Sequence, residues 1–465
     1  MVDQFGEPMR HTFFLIAASI ALYAASAAIF TARRGSSSPV QQEGGAEIGN
    51  SSELEQSPLR RQMRPDVSAA DLAAVINGNT CFGLQALQRL AMQDAGNLVF
   101  SPYGITVALA LAAAGAQGAT RTGIARALSF ALPEERLNPA LNELNLRLHA
   151  NGSGAAPARH AQAPELNVAN AMWLQRGFPL LPAFLDTIAL NFGAGVCRAD
   201  FMHDTAGASR AINDWAAQQT AGRLPAIVAP GTITHDARLV LSNAIWFKAG
   251  WESPFDTGAT NDQSFFNHDG TVSSVPFMCQ RLAVPFYRDG LVQAVDLPYA
   301  GSSLSMLILM PETGTLDAYL ESLAPDTLNA LVRQLAPHGE VALALPKFSF
   351  DHMPDMVTIL QAMGMNEAFE AGNADFSGIS GKQELVIASV LHQARIGIDE
   401  QGTEADAPLR MVRNKVSPAA AAALTLTIDR PFLFIIRDRG TGAVLFMGKI
   451  RHLGRQSNNN IVNKR

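Results

Sequence analysis

The sequence has little of what would indicate a disulfide framework, a metal cluster, a nucleic-acid partner or an enzyme. Its 465 residues include three cysteines, all far apart and outside any CxxC pair, so neither a disulfide framework nor a zinc site is predicted. The 35 basic and 41 acidic side chains give a formal net charge of −6, which leaves no basic excess for binding a nucleic acid. The chain also lacks a GxSxG elbow, an HExxH pair and a Walker loop. We therefore expect a protein without a cofactor or metal that is not an enzyme.

One long apolar run near the start of the chain indicates contact with a membrane. Residues 13–30, FFLIAASIALYAASAAIF, carry no charge and lie between Arg10 and the pair Arg33 and Arg34. Their length is at the lower limit for crossing a bilayer, and the small residues at 25–27 suit cleavage by a signal peptidase. Residues 1–34 are thus either a cleaved signal peptide or a membrane anchor. On both readings the body is secreted, periplasmic or otherwise extracellular.

The composition divides the rest of the chain into three parts. Residues 35–67 are rich in Ser, Gly, Gln, Glu and Pro and are predicted to be a disordered linker, because they cannot bury enough apolar surface to order themselves. Residues 68–453 form the folded body, in which residues 149–164 read as a long surface loop. Residues 454–465 form a polar tail.

The hydrophobic periodicity of the body changes along its length. Residues 69–93 have apolar side chains at helical spacing, and Ser101 with Pro102 marks the start of a second helix. From residue 239 onward most segments alternate as strands, as in LVLSNAIWFKAG and LTLTIDRPFLFIIRD. A helix-rich first half and a strand-rich second half predict an α+β fold with large, mostly antiparallel sheets.

The order of these segments resembles the serpin family along about 380 residues. The resemblance is carried by several segments, among them NLVFSPYGITVALALAAAGAQGAT, INDWAAQQTAGRL, LVLSNAIWFKAGWESPF, LPKFSF, LHQARIGIDEQGTEA and DRPFLFIIRD. It implies the serpin fold, with three mostly antiparallel β-sheets, about nine helices and an exposed reactive centre loop. It also implies a serine protease inhibitor that acts as a suicide substrate. In that mechanism a protease cleaves the loop, the loop enters the central sheet as a new strand, and the acyl-enzyme is trapped.

The resemblance locates the hinge of the loop at residues 400–408. The hinge residues are Glu400, Gly402, Thr403, Glu404, Ala405, Asp406, Ala407 and Pro408. Because strand side chains alternate, Thr403, Ala405 and Ala407 would share the inward face of an inserted strand, while Glu404 and Asp406 would share the outward face. Pro408 departs from the pattern, since it has no N–H to give to a central strand.

Family spacing puts the cleaved bond between Val416 and Ser417, and the Val resembles elastase-type specificity. If the register differs, Lys415 would suit a trypsin-like enzyme. The expected partner is therefore a serine protease, elastase-like in preference to trypsin-like, and the inhibitor itself is expected to be a monomer. Pro408 keeps a second interpretation open, a non-inhibitory serpin that acts as a carrier, chaperone or interaction protein.

Four residues resemble those that control opening of the central sheet. Ser101, Asn213 and His392 resemble the polar cluster beneath the sheet, and Trp251 resembles the tryptophan at the end where the loop enters. Gly104 occupies a position where the family usually has a second Ser. The cluster is therefore expected to lack one hydroxyl group.

Overall fold

The helices and strands follow one another along the described part of the chain. The computed structural model describes residues 53–153, 164–403 and 424–454. The helices in these ranges are α1 (Ala69–Gln93), α2 (Pro102–Ala113), α3 (Gly118–Ala127), α4 (Glu134–Ser153), α5 (Pro182–Phe192), α6 (Thr205–Gln219), α7 (Leu316–Ser322), α8 (Pro325–Gln334), α9 (Met356–Ala362) and α10 (Ser377–Ser380). The strands are β1 (Glu53–Glu55), β2 (Leu98–Phe100), β3 (Glu165–Gln175), β4 (Val196–Ala199), β5 (Leu239–Gly250), β6 (Asn261–Phe266), β7 (Val272–Arg288), β8 (Val292–Pro298), β9 (Leu304–Pro311), β10 (Ala336–Pro346), β11 (Phe348–His352), β12 (Ile387–Ile398), β13 (Gly402–Thr403), β14 (Leu424–Thr427), β15 (Phe432–Asp438) and β16 (Val444–Ile450).

The strands form two hydrogen-bonded sheets. The large sheet has seven strands in the order β1-β4-β3-β5-β13-β12-β11. The other has nine strands, with β14-β10-β7-β8-β9-β15-β16-β2 as its path and β6 paired to β7. The 17-residue strand β7 pairs with β10 over most of its length and with β8 only at its end, so it joins two of the three expected sheets into one. The predicted α+β class is confirmed.

The core consists of layers on both faces of the large sheet. On one face, Ile245 and Phe247 of β5 pack with Phe434 and Phe446 of the nine-stranded sheet. On the other face, the apolar side of α6 covers β3 and β5 through buried residues that include Trp215. The long strand β5 is buried on both faces, which explains its mostly apolar sequence. The large sheet is therefore a middle layer, so any strand added to it must enter between two packed surfaces.

The sequence predicted the start of the second helix correctly but not its length. Ser101 is the N-cap of α2, its side chain accepting a hydrogen bond from the N–H of Gly104, and Pro102 occupies the first turn. The expected single helix is interrupted after Ala113, and α3 begins at Gly118, whose φ of +51° favours glycine. In the predicted surface loop, α4 continues to Ser153 and residues 154–163 lie outside the described ranges.

The predicted disordered linker ends earlier than expected. The sequence predicts disorder through residue 67, but β1 pairs with β4, and Ser57, Arg61 and Gln62 are hydrogen-bonded to the body. Their order comes from hydrogen bonds with residues far along the chain, which composition does not reveal. The apolar run 13–30 and the tail residues 455–465 lie outside the described ranges. Within those ranges, no helix is long and apolar enough to cross a membrane.

Candidate functional site at the hinge of the large sheet

The two central strands of the large sheet, β5 and β12, pair directly along most of their length and separate at one end. We call the closed part the seam: residues 239–245 of β5 and 387–394 of β12, which are parallel neighbours up to the pair Ile245 and Ala394. Beyond that pair the short strand β13 lies between them. Gly402 and Thr403 are antiparallel to Gly250 and Ala249, and Thr403 also pairs with Ile398. Gly402 and Thr403 of the hinge are thus already inserted.

Thr403 is the inner end of this insertion. Its side chain is 1% exposed, and its hydroxyl shares a hydrogen bond of 2.6 Å with the hydroxyl of Tyr299. Burial raises the pKa of Tyr299, so that hydroxyl keeps its proton and can donate. The side chain of Thr403 is therefore enclosed at the inner end of the insertion.

Gly402 is required by the narrowness of the gap. A Cβ atom at this position would lie 2.0 Å from the carbonyl oxygen of Ala249 and 2.7 Å from Cα of Gly250. Neither contact can be relieved without moving β5, because both atoms belong to its backbone. Only glycine fits here with the sheet in this conformation.

Glu400 fixes the segment just before the insertion. Its carboxylate accepts hydrogen bonds from Nζ of Lys347 at 2.7 Å and from the hydroxyl of Thr260 at 2.8 Å, while its carbonyl accepts one from the N–H of Phe255 at 2.8 Å. Burial opposes ionisation of Glu400, but the bonds from Lys347 and Thr260 outweigh it and lower the pKa of this carboxyl. Glu400 is thus a charged anchor at the start of the hinge.

Trp251 lies at the open end of the sheet, next to the inserted residues. Its indole N–H donates to the carbonyl of Asp399 at 3.0 Å, and its backbone N–H donates to the carbonyl of Gln401 at 2.8 Å. Its ring stacks on Tyr299 at 4.8 Å between centroids, with 9° between the ring planes. Trp251 and Tyr299 together form one wall of the entrance through which the loop would pass.

A buried polar cluster crosses the middle of the seam. Nδ1 of His392 is 2.8 Å from Oδ1 of Asn243, its direct neighbour on β5. Nε2 of His392 accepts a hydrogen bond of 3.1 Å from the N–H of Ser101, so Nδ1 carries the proton and donates to Asn243. The amide of Asn243 donates in turn to Oδ1 of Asn170 on β3 at 2.8 Å. The cluster therefore ties β12, β5 and β3 to the start of α2.

Burial keeps His392 neutral. Its ring is 1% exposed, and burial lowers its pKa to about 3, with a smaller contribution from the charge of His352. An imidazolium would direct a second N–H at the N–H of Ser101, where only an acceptor fits. Protonation of His392 would therefore break the seam cluster.

The structure does not bring Asn213 into this cluster, and that prediction is wrong. Asn213 lies on α6, where its Oδ1 accepts from the N–H groups of Ile227 and Val228, each at 2.8 Å, and its amide donates to the carbonyl of Val228. These bonds hold the segment between α6 and β5 over the sheet. Asn243 takes the place expected for Asn213, because it is on β5 itself and directly opposite His392.

The missing hydroxyl at Gly104 does not leave the cluster incomplete. A Cβ atom at Gly104 would lie 2.5 Å from Oδ1 of Asn243, so the amide of Asn243 fills the space that a larger residue would need. The hydroxyl of Ser101 is satisfied as well: it donates to the carbonyl of Leu445 at 2.6 Å and accepts from Gly104. Gly104 and Asn243 fit together as a pair.

The rest of the predicted loop lies outside the described residues. These positions are Glu404, Ala405, Asp406, Ala407 and Pro408 of the hinge, and Lys415, Val416 and Ser417 around the expected cleavage point. Sequence reasoning missed Tyr299, Lys347 and Asn243. Only Asn243 had a signal, because it and Ser242 are the two polar residues in the centre of the otherwise apolar run LVLSNAIWF.

Comparison with known sequences gives a family that fits this geometry. The family model described as Serpin (serine protease inhibitor) matches residues 77–453. An uncharacterized serpin-like protein of Thermococcus kodakarensis is 34% identical over 390 residues, or 81% of this chain and 85% of the relative. Leukocyte elastase inhibitor A of Mus musculus is 30% identical over 383 residues, or 80% of this chain and 98% of the relative.

Solved structures agree with the sequence matches. The thermophilic serpin tengpin in its native state superposes with a TM-score of 0.75 at 24% identity, covering 86% of this chain and all of the other. At this identity the likeness shows a shared fold only. Human thyroxine-binding globulin superposes with a TM-score of 0.72 at 28% identity, covering 83% of this chain and all of the other. The chain belongs to the serpin family.

Proposed function

We propose that this serpin inhibits serine proteases as a suicide substrate. The protease serine attacks the carbonyl carbon of Val416, the bond to the nitrogen of Ser417 breaks, and the new amine takes up a proton. The freed loop then enters the large sheet and carries the acyl-enzyme with it, which distorts the protease active site so that water cannot complete hydrolysis. The inhibitor contributes no catalytic group.

The observation that carries this proposal is the position of β13. Gly402 and Thr403 already lie between β5 and β12, so insertion has only to continue from Thr403 along the seam. Opening the seam breaks the direct pairing of β5 with β12, and an inserted strand would pair with both neighbours instead. The backbone groups exposed by opening are therefore satisfied again at the end of the reaction.

The proposed target is elastase-like. This rests on Val416 as the residue before the cleaved bond, and it agrees with the name of the murine relative, leukocyte elastase inhibitor A. Cleavage after Lys415 would instead indicate a trypsin-like target. We also propose that residues 1–34 export the protein, either as a signal peptide or as a membrane anchor.

A non-inhibitory role is the second candidate, and Pro408 is the observation that favours it. A proline in a central strand leaves the facing carbonyl without a donor and slows entry of the loop. Thyroxine-binding globulin, a structural neighbour, is named for binding rather than for inhibition. On this reading the loop would be cleaved without trapping the protease.

Denaturing electrophoresis after incubation with elastase or trypsin tests the proposal. An inhibitor leaves a band at the summed mass of serpin and protease, and mass spectrometry of the released C-terminal peptide identifies the cleaved bond. Thr403→Arg is the control, since a buried charge at the hinge should give a cleaved band in place of the complex. Cleavage of the wild type without any complex, with either protease, would contradict inhibition and support the carrier role.

A further inference from the structure

The segment that precedes the body forms a strap along the outer edge of the large sheet. We define the strap as residues 53–62. Its strand β1 is antiparallel to β4, with Leu54 opposite Cys197. The carboxylate of Glu55 accepts two hydrogen bonds from the guanidinium of Arg198 on β4, at 2.6 and 2.9 Å. One end of the strap is thus bonded to β4, which is separated from the seam strand β5 by β3.

The other end of the strap is bonded to two helices. Ser57 donates to the carboxylate of Asp186 on α5, and the N–H of Gln62 donates to the carbonyl of Leu190 on the same helix at 2.9 Å. Arg61 donates to the side-chain oxygens of two residues of α4, Asn142 at 2.8 Å and Asn145 at 2.7 Å. The strap therefore connects β4 with α5 and α4.

The body is shaped to receive the strap. A Cβ atom at Gly195 would lie 2.7 Å from the carbonyl oxygen of Glu55. At Gly193, where φ is +62°, a Cβ atom would lie 3.1 Å from Cδ of Arg61. Both glycines precede β4, and at Gly195 a side chain would have to displace the backbone of the strap.

A line of hydrogen bonds leads from the strap to the seam. The amide of Asn145, which holds Arg61 through its oxygen, donates to the hydroxyl of Tyr103 at 2.7 Å. Tyr103 is fully buried on α2, the helix whose N-cap Ser101 donates to His392 in the seam. The strap thus contacts, through one intermediate side chain, the helix that supports the seam cluster.

We propose that the strap is a brace that restrains opening of the seam. Opening requires β5, β3 and β4 to separate from β12, and β4 must then shift relative to the helices on which the strap is anchored. Each shift strains or breaks the bonds of Glu55, Ser57 or Arg61, so the strap stabilises the closed sheet. This inference rests on the proposed function in one respect, because insertion of the loop is the event that requires the seam to open.

Hydrogen exchange of the uncleaved, full-length protein tests the brace. Arg61→Ala removes both bonds to α4. We expect amides of residues 239–245 and 387–394 to exchange about fivefold to tenfold faster, the effect on the opening equilibrium of losing roughly one hydrogen bond of typical net strength. Arg60→Ala is the matched control. It removes the same charge from the neighbouring, exposed position and should leave seam exchange unchanged.

Gly195→Ala gives a second test that leaves the strap sequence intact. The added Cβ should displace Glu55 and speed seam exchange in the same direction. If either variant accelerates exchange only in the strap, β4 and α4, the strap is a local attachment and the brace is wrong. The elastase and trypsin experiment is independent of this result. Faster seam exchange in the variants, with no covalent complex from the wild type, would support the brace and oppose inhibition. A covalent complex with unchanged seam exchange would support inhibition and oppose the brace.

Discussion

Removing the hydroxyl of Tyr299 should release the inserted end of the hinge. Tyr299→Phe keeps the ring that stacks on Trp251 and packs edge-on against Phe247 at 5.0 Å, and deletes only the partner of Thr403. The hydroxyl of Thr403 is then buried without this bond, at a cost of about 1 to 3 kcal/mol. Once the hinge leaves the sheet, water solvates that hydroxyl. The cost therefore falls on the inserted conformation alone.

The expected shift is large enough to measure by hydrogen exchange. A change of this size in the opening equilibrium corresponds to roughly 5- to 150-fold faster exchange of the amides that β13 shares with β5 and β12. Thr403→Val should act in the same direction, because it leaves the hydroxyl of Tyr299 buried without its partner. The double variant should recover most of the loss, since both polar groups are then replaced by apolar ones.

Two results would refute this reasoning. Unchanged exchange at residues 402–403 in Tyr299→Phe would show that the bond does not hold the hinge in the sheet. Strictly additive effects in the double variant would show that the two hydroxyls act separately, although their oxygens are 2.6 Å apart.

Three further predictions concern the seam and the loop. Burial lowers the pKa of His392 to about 3 in the folded protein, against about 6.5 in the unfolded chain, so its contribution to stability is constant above pH 6.5 and falls by up to about 1.4 kcal/mol per pH unit below it. The free energy of unfolding, measured in urea from pH 7.5 to 4.5, should therefore fall less in His392→Gln than in the wild type, and equal slopes would contradict this. Thr403→Arg should abolish the covalent complex while Glu404→Arg should do much less, and equal damage on denaturing gels would show that the inward and outward faces are assigned wrongly. Pro408→Ala restores an N–H to the entering strand, so titration of elastase should show fewer inhibitor molecules consumed per protease at an unchanged association rate; an unchanged ratio would mean that Pro408 enters without delay, as at a local bulge.

Local pattern and the family resemblance led to several residues around the large sheet. The alternation of strand side chains put Thr403 on the inward face, and Ser101 with Pro102 marked the start of α2. His392 and Trp251 were found from their positions within long matching segments. The inward face of Thr403 and the start of α2 depend on residues close together in the chain, where the period of a helix or strand dictates which side chains share a face. His392 and Trp251 came from the family resemblance alone.

Partners far apart in the chain were decided only by the tertiary structure. Asn213 and Asn243 are both asparagines within matching segments, and the sequence did not distinguish them. The parallel register of β5 on β12 placed Asn243 opposite His392, 149 positions away. Tyr299 likewise meets Thr403 across 104 positions. The local sequence does not indicate which of these distant residues meet, because such contacts follow from how the strands pair and the sheets pack.

The strap shows the same division most clearly. Its composition is that of a disordered segment, and by itself it cannot bury enough apolar surface to fold. It is ordered because Arg198, Asp186 and the asparagines of α4 present charged and polar groups at matching positions, and because Gly195 leaves room for its backbone. The sequence by itself predicted the family and the α+β fold, which the comparisons and the structure confirm. The tertiary structure alone decided which residues meet Thr403 and His392 and where residues 53–62 attach to the body, since these contacts form only after the body has folded.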